Sequence, residues 1–171
     1  RMFAGDFRVR TGDTVLMDYN GLVLRLIVKY CFLDEVDLAV LASDEVERMS
    51  DAEATFTVQA RCAAHYLELM SLYELITNDL GLSVVNDDKG ELRCVCAILR
   101  ELSLREGVES PFSLICMDLI QDWPDLCLLP KTQNQGIVGC SLALLTMIFK
   151  SCALDAFVAV KCLKEWKKAL Q

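Results

Sequence analysis

Apolar residues recur at spacings of three and four along most of this chain, which predicts a succession of amphipathic helices. Over 14–30, Val15, Tyr19, Leu22, Leu26 and Tyr30 fall on one stripe, with Thr14, Asp18, Gly21, Arg25 and Lys29 opposite. A hairpin competes for the same stretch. "DYNG" contains Asn20-Gly21, a strong two-residue turn signal, and "FRVRTGDTVLM" could supply strands. Strand alternation, however, leaves Val23, Ile27 and Cys31 on the polar side. Helix is therefore preferred, while helix and hairpin both stay open for 7–30.

A shorter acidic helix is expected over 34–47. "SDAE" at 50–53 reads as a capping box, and the pattern from there to "NDLG" predicts one long central helix stopped by Gly81. Its stripe shifts on the way, from Phe56, Ala60, Ala63, Leu67 and Met70 to Tyr66, Leu69, Tyr73, Ile76 and Leu80. After a loop at "NDDKGE", a helix near 90–106 turns Leu92, Val95, Leu99 and Leu102 inward and stops at Gly107. "ESPFSLICMDLIQDW" begins with Ser110 as cap and Pro111 in the first turn, where a missing N–H does no harm. "WPDLCLLP" is short and apolar between two prolines, and "KTQNQG" is loop-like. A helix over 137–150 is apolar nearly all round, as a buried helix would be. The last, near 154–170, sets Cys162 or Leu163, Trp166 and Leu170 on one side and lysines on the other. The fold class is all-α: a single compact domain over 1–171 with six to eight helices, either a bundle or a stacked helical-pair (HEAT/ARM-like) array. The opening "RMFAGDF" leads us to expect a piece of a larger protein.

Composition sharpens this picture. Of 171 residues, 54% are apolar, against about 45–50% in ordinary chains even with glycine counted. Such an excess asks for helices packed in more than one layer, for a surface that meets a partner, or for both. The net charge of −8 disfavours binding to nucleic acid by phosphate neutralisation. Asp34, Glu35, Asp37, Asp44, Glu45, Glu47, Asp51 and Glu53 face a single base, Arg48, so 34–53 is a candidate acidic dock. Nine cysteines, mostly within apolar runs, behave as small hydrophobes and point to a reducing compartment, cytoplasm or nucleus. The longest charge-free apolar run, 137–149, is too short to span a bilayer.

Chemistry is sparse. Cys62 and His65, three apart on a helix, can face a common atom. Zinc would need two more ligands. Cys94 and Cys96 in "CVC" point their thiols to opposite sides of a helix, so packing is the preferred role for Cys62 and His65. A Cys–His or Ser–His–Asp hydrolase would have to use that same histidine, the one histidine in the chain, and no activating turn accompanies it. Phosphate-loop and calcium-loop motifs are missing, "GIVG" at 136–139 reads as a close-packed helix start, and Asp118 with Asp122 as a solvated face. No cofactor or metal is expected.

The leading expectation is a non-enzymatic helical protein–protein interaction module, a scaffold or adaptor within a larger complex. The alternatives are a bundle that binds a partner's amphipathic helix in a groove as a regulator or inhibitor, and an enzyme without short motifs. Homodimerisation fits each of these. Trp123, Leu126, Leu128, Leu129 and Trp166 are the candidate partner-binding residues, because tryptophan favours interface centres and this segment is too short to bury all its leucines on one face.

Overall fold

Ser50 starts the helix around which the others gather. Its hydroxyl accepts from the Glu53 N–H at 3.3 Å, and the Glu53 carboxylate accepts from the Ser50 N–H at 2.6 Å. This is the capping box of "SDAE", and it satisfies two donors that a helix start would otherwise leave open. The computed structural model describes residues 19–33, 36, 50–85, 94–107, 109–130 and 135–170. The candidate strands at 7–17, the acidic helix at 34–47, the loop at 86–91, and residues 131–134 lie outside the described residues.

Those described form α1 (Gly21–Leu33), α2 (Asp51–Tyr66), α3 (Met70–Val85), α4 (Val95–Arg105), α5 (Pro111–Asp122), α6 (Pro124–Leu128), a 3-10 turn (Gly136–Gly139), α7 (Leu142–Ser151) and α8 (Ala156–Ala169). Among the described residues there is no strand. The fold is a single all-α domain, a helical bundle, as the sequence pattern predicts.

Helix α2 packs against α1, α3 and α4. Residues 60–64 of it are all buried, along with Ala54, Phe56, Thr57 and Val58. Alanines at 54, 60, 63 and 64 have no side chain beyond Cβ, so neighbouring helices can approach from several sides. Two cores result, one on each flank. Val23, Leu26 and Ile27 of α1 join Phe56, Ala60 and Ala63 of α2 and Leu72 and Ile76 of α3. The larger core combines Ala54 and Val58 with Ile98, Leu99, Leu102, Ile120, Leu128, Ile137, Ile148 and Cys162.

Four expectations need correction. First, the inward face of α1 is Val23, Leu26 and Ile27, while Leu22 is exposed. The apolar stripe Tyr19–Leu22–Leu26–Tyr30 and the buried face share only Leu26, because the face turned toward α2 includes Val23 and Ile27. Asn20 and Gly21 open this helix rather than a hairpin: the Asn20 side chain accepts from the Leu22 N–H at 2.9 Å.

Second, the single helix predicted from 51 to 81 is two. The Glu68 N–H reaches the His65 carbonyl at 3.0 Å and the Leu69 N–H reaches the Ala64 carbonyl at 2.8 Å. With Glu68 at φ 58°, this is a Schellman stop built without glycine. Third, α3 continues through Gly81 to Val85 instead of stopping there; glycine permits a stop but does not enforce one.

Fourth, the 137–150 segment is not one buried helix. A 3-10 turn occupies 136–139, then Ser141 caps α7 by accepting from the Leu144 N–H at 3.2 Å. Only Leu144, Leu145 and Ile148 of α7 are buried, and Leu142 is exposed. The other punctuation follows the pattern. Ser110 caps α5 with Pro111 in its first turn, and Gly107, at φ 88°, ends the turn after α4.

Candidate functional site

The middle of α2 carries a charge where a core helix would carry none. Arg61 lies between Ala60 and Cys62 and is 5% exposed. Its Nε donates to Thr77 Oγ1 at 3.0 Å, one terminal nitrogen donates to the Tyr73 hydroxyl at 2.7 Å, and the other pairs with Glu106. The guanidinium carbon also stands 4.7 Å from the Tyr73 ring centre and 5.6 Å from that of Phe112. The donors and the charge are thus answered inside the protein, as burial of a guanidinium requires. Nearby, Glu101 accepts from Arg105 Nε at 2.6 Å and from Gln59 Nε2 at 2.9 Å, and Arg105 stacks over Tyr19.

Cys62 belongs to this centre. Its thiol donates to the Glu106 carboxylate at 3.3 Å. Burial first, and the adjacent Glu106 charge second, push it up to about 12, so at neutral pH it is a thiol and not a nucleophilic thiolate. His65 lies outside this buried centre. The imidazole is exposed and its ring centre lies 5.0 Å from that of Tyr73. The sequence spacing that put Cys62 and His65 on neighbouring positions is real, but the two side chains serve different surroundings, and His65 packs at the surface rather than in the core. Among the described residues, no group of three or more His, Cys, Asp or Glu is placed to hold a metal ion.

A second polar corner lies where α4 meets the 3-10 turn and the start of α2. An open cleft of about 490 Å³ runs past Ser50, Asp51, Thr55, Gln59, Arg100 and Gln135. Asp51 Oδ2 accepts from the Gln135 N–H at 2.7 Å, and burial raises its carboxyl above the usual range despite that bond. The close packing expected of "GIVG" is confirmed: a Cβ on Gly136 would run into the Leu128 carbonyl, and one on Gly139 into the Arg100 guanidinium. Gly136 also sits at φ 53°, where a side chain is strained. Beneath this corner lie Cys96, whose thiol donates to the Cys127 carbonyl at 3.2 Å, and Cys140.

The candidate partner residues separate. Leu128 is fully buried and plugs the larger core, Leu129 is half-buried against it, and Leu126 is half-buried. Trp123 is 54% exposed. Trp166 packs against the core with its Nε1 donating to the Cys140 carbonyl at 3.1 Å. The outward faces of two helices carry apolar groups, of which the sequence pattern marks only Leu163, as the alternative to Cys162 on the apolar stripe of the last helix. On α1 these are Phe32 and Leu33; on α8 they are Phe157, Val160 and Leu163, with Phe157 74% exposed. Lys161, Lys164, Lys167 and Lys168 alternate with them on α8 and are exposed. The signal was present in "AFVAVKCLKEWKK", where apolar residues outnumber what one buried stripe needs.

No helix among the described residues is long and apolar enough to cross a membrane. Comparison of the chain with protein-family models, with curated proteins and with solved structures finds no match.

Proposed function

We propose that this chain is a non-enzymatic helical interaction module, a scaffold or adaptor that works through its surface within a larger complex. The observation that carries the reading is the outer face of α8, where Phe157, Val160 and Leu163 are exposed opposite the buried Val158 and Cys162. Large apolar side chains gathered on one face are characteristic of contact surfaces. The interleaved lysines favour a partner face that is apolar and acidic. Trp123, half a residue's surface in solvent, extends the choice of anchors. The groove reading is less supported, because the open cleft beside Arg100 carries Asp51, Gln59, Arg100 and Gln135 in its lining rather than a continuous apolar strip. Eight buried thiols favour a reducing compartment, cytoplasm or nucleus.

The test is affinity capture from cell extract with the intact chain, beside Phe157→Asp and Trp123→Ala. The expected result is a stoichiometric protein partner that is lost with Phe157→Asp while the unfolding midpoint stays unchanged. Equal recovery with Phe157→Asp and the unaltered chain, or no partner with any of them, would overturn the reading.

A further inference from the structure

We propose that two copies of this chain pair across a twofold axis, with α8 of each lying on α5 of the other. The inference rests on reading the α8 face as a contact surface, and it makes a second copy the occupant. Two outward faces carry it. On α5, Leu114, Ile115, Asp118 and Asp122 follow one another at spacings of three and four, so they share one side of the helix, and all four are exposed. Trp123, at the end of that helix, is exposed as well. The helix contains no lysine or arginine. On α8, Phe157, Val160, Lys161, Lys164 and Lys168 make a stripe of the same spacing, with Leu163 and Lys167 along its edge, and all are exposed. The one acid in α8, Glu165, is half-buried and paired with Lys168 at 2.6 Å.

The first face is therefore apolar and acidic, the second apolar and basic. Asp118 and Asp122 on one, and Lys164 and Lys167 on the other, have no ion-pair partner among the described residues. Neither face can be covered by its like, because carboxylates would meet carboxylates and lysines would meet lysines. Laid on each other, the two remove their apolar groups from water and bring opposite charges together.

Within one copy the faces do not cover each other, since both are exposed. They adjoin instead. Helix α6 packs against both α5 and α8, Lys161 Nζ lies 3.8 Å from Asp125 Oδ1, and the Cys152 thiol, just ahead of α8, donates to the Met117 carbonyl of α5 at 3.5 Å. This adjacency selects a closed pair. A copy turned by 180° about the seam at Asp125 and Lys161 sets acid on base on both sides at once, so the contact is made twice and no face is left over. Head-to-tail stacking would leave one face of each kind open at the ends of a growing row.

The test measures the mass of the whole chain in solution by light scattering over a concentration series. The expected species is a dimer, whose half-dissociation concentration rises about tenfold as salt goes from about 0.1 to about 0.5 M. Lys164→Glu with Lys167→Glu, and Asp118→Lys with Asp122→Lys, each set like charges across both contacts and should be monomers with unchanged circular dichroism. Mixed in equal amounts they should form a dimer holding one of each, since every contact again pairs opposite charges; that recovery also shows that both variants fold. A chain that stays monomeric up to about 1 mM, growth past the dimer, a dimer that both double variants keep, or a mixture that stays monomeric would overturn the pairing. Partner capture is a separate readout. A foreign partner lost with Phe157→Asp from a chain that stays monomeric keeps the α8 contact surface and removes the second copy, whereas a dimer with recovery in the mixture stands even where no foreign protein is captured.

Discussion

Two arginines sit beside two cysteines in this bundle, and the outcomes are opposite. At Arg61 the guanidinium is committed to Glu106, Tyr73 and Thr77, and the neighbouring Cys62 meets the carboxylate rather than the cation. At Arg100 the guanidinium lies over Gly139, one residue before Cys140. The Cys140 thiol is lowered by the Cys96 side chain first and by Arg100 after it, against burial and Asp51. An arginine next to a cysteine in space therefore does not by itself activate a thiol. At Cys62 burial and then the Glu106 carboxylate outweigh Arg61.

The largest effect should come from breaking the first corner. Glu106→Ala leaves Arg61, with its side chain 6% exposed, short of its countercharge, and should lower stability by about 3 kcal/mol, read from urea denaturation. In the same variant Cys62 loses a carboxylate neighbour, so its alkylation by iodoacetamide should begin at lower pH than in the parent chain.

A smaller effect separates the thiols by pH. Cys116 has an ordinary value of 9.0 and about 12 in the folded protein. Its raised folded value means that the stabilisation is complete below pH 9 and is lost as pH rises toward 12, since the unfolded chain gives up the proton first. Stability should fall by about 1.4 kcal/mol per pH unit in that window from this thiol alone. Urea midpoints between pH 8 and 11 check this, and Cys116→Ala should flatten the slope.

The corners can also be set against each other at the thiols themselves. Arg100→Met removes the cation beside Cys140 and should slow its alkylation at pH 8, while Cys62, on the far corner, keeps its rate. Peptide mapping of iodoacetamide adducts measures both in one sample. Equal slowing of the two would show that the variant has loosened the whole bundle.

The smallest expected change is Ser50→Ala. It removes the hydroxyl half of the capping box and should cost about 1 kcal/mol, measured by thermal unfolding. The first turn of α2 forms one wall of the Arg100 cleft, so fraying there should disturb that corner and leave the Arg61 corner alone.

What could be read from residues alone follows how local the signal is. Ser50 with Glu53, Ser110 with Pro111, and Gly107 each act on their own neighbours, and each marks the boundary expected of it. The stop at Glu68 was hidden because no glycine, proline or asparagine flags it; the trace it left was the shift of the apolar stripe between Leu67 and Leu69. Gly81 misled for the converse reason, since α3 continues across it. Of the candidate contact residues, Leu128 is taken by the core, a result set by packing at long range. Arg61 was legible as a charge in an apolar helix, yet its partners Tyr73 and Glu106 are 12 and 45 positions away, and nothing in their spacing announces them.

The indole bond between α8 and the Cys140 carbonyl equips the protein with its own optical gauge. It has two tryptophans. Trp166 is tethered to the backbone at Cys140, whereas Trp123 is 54% exposed. Iodide should dim the second and spare the first, so the emission that survives reports on the thiol corner without any added dye.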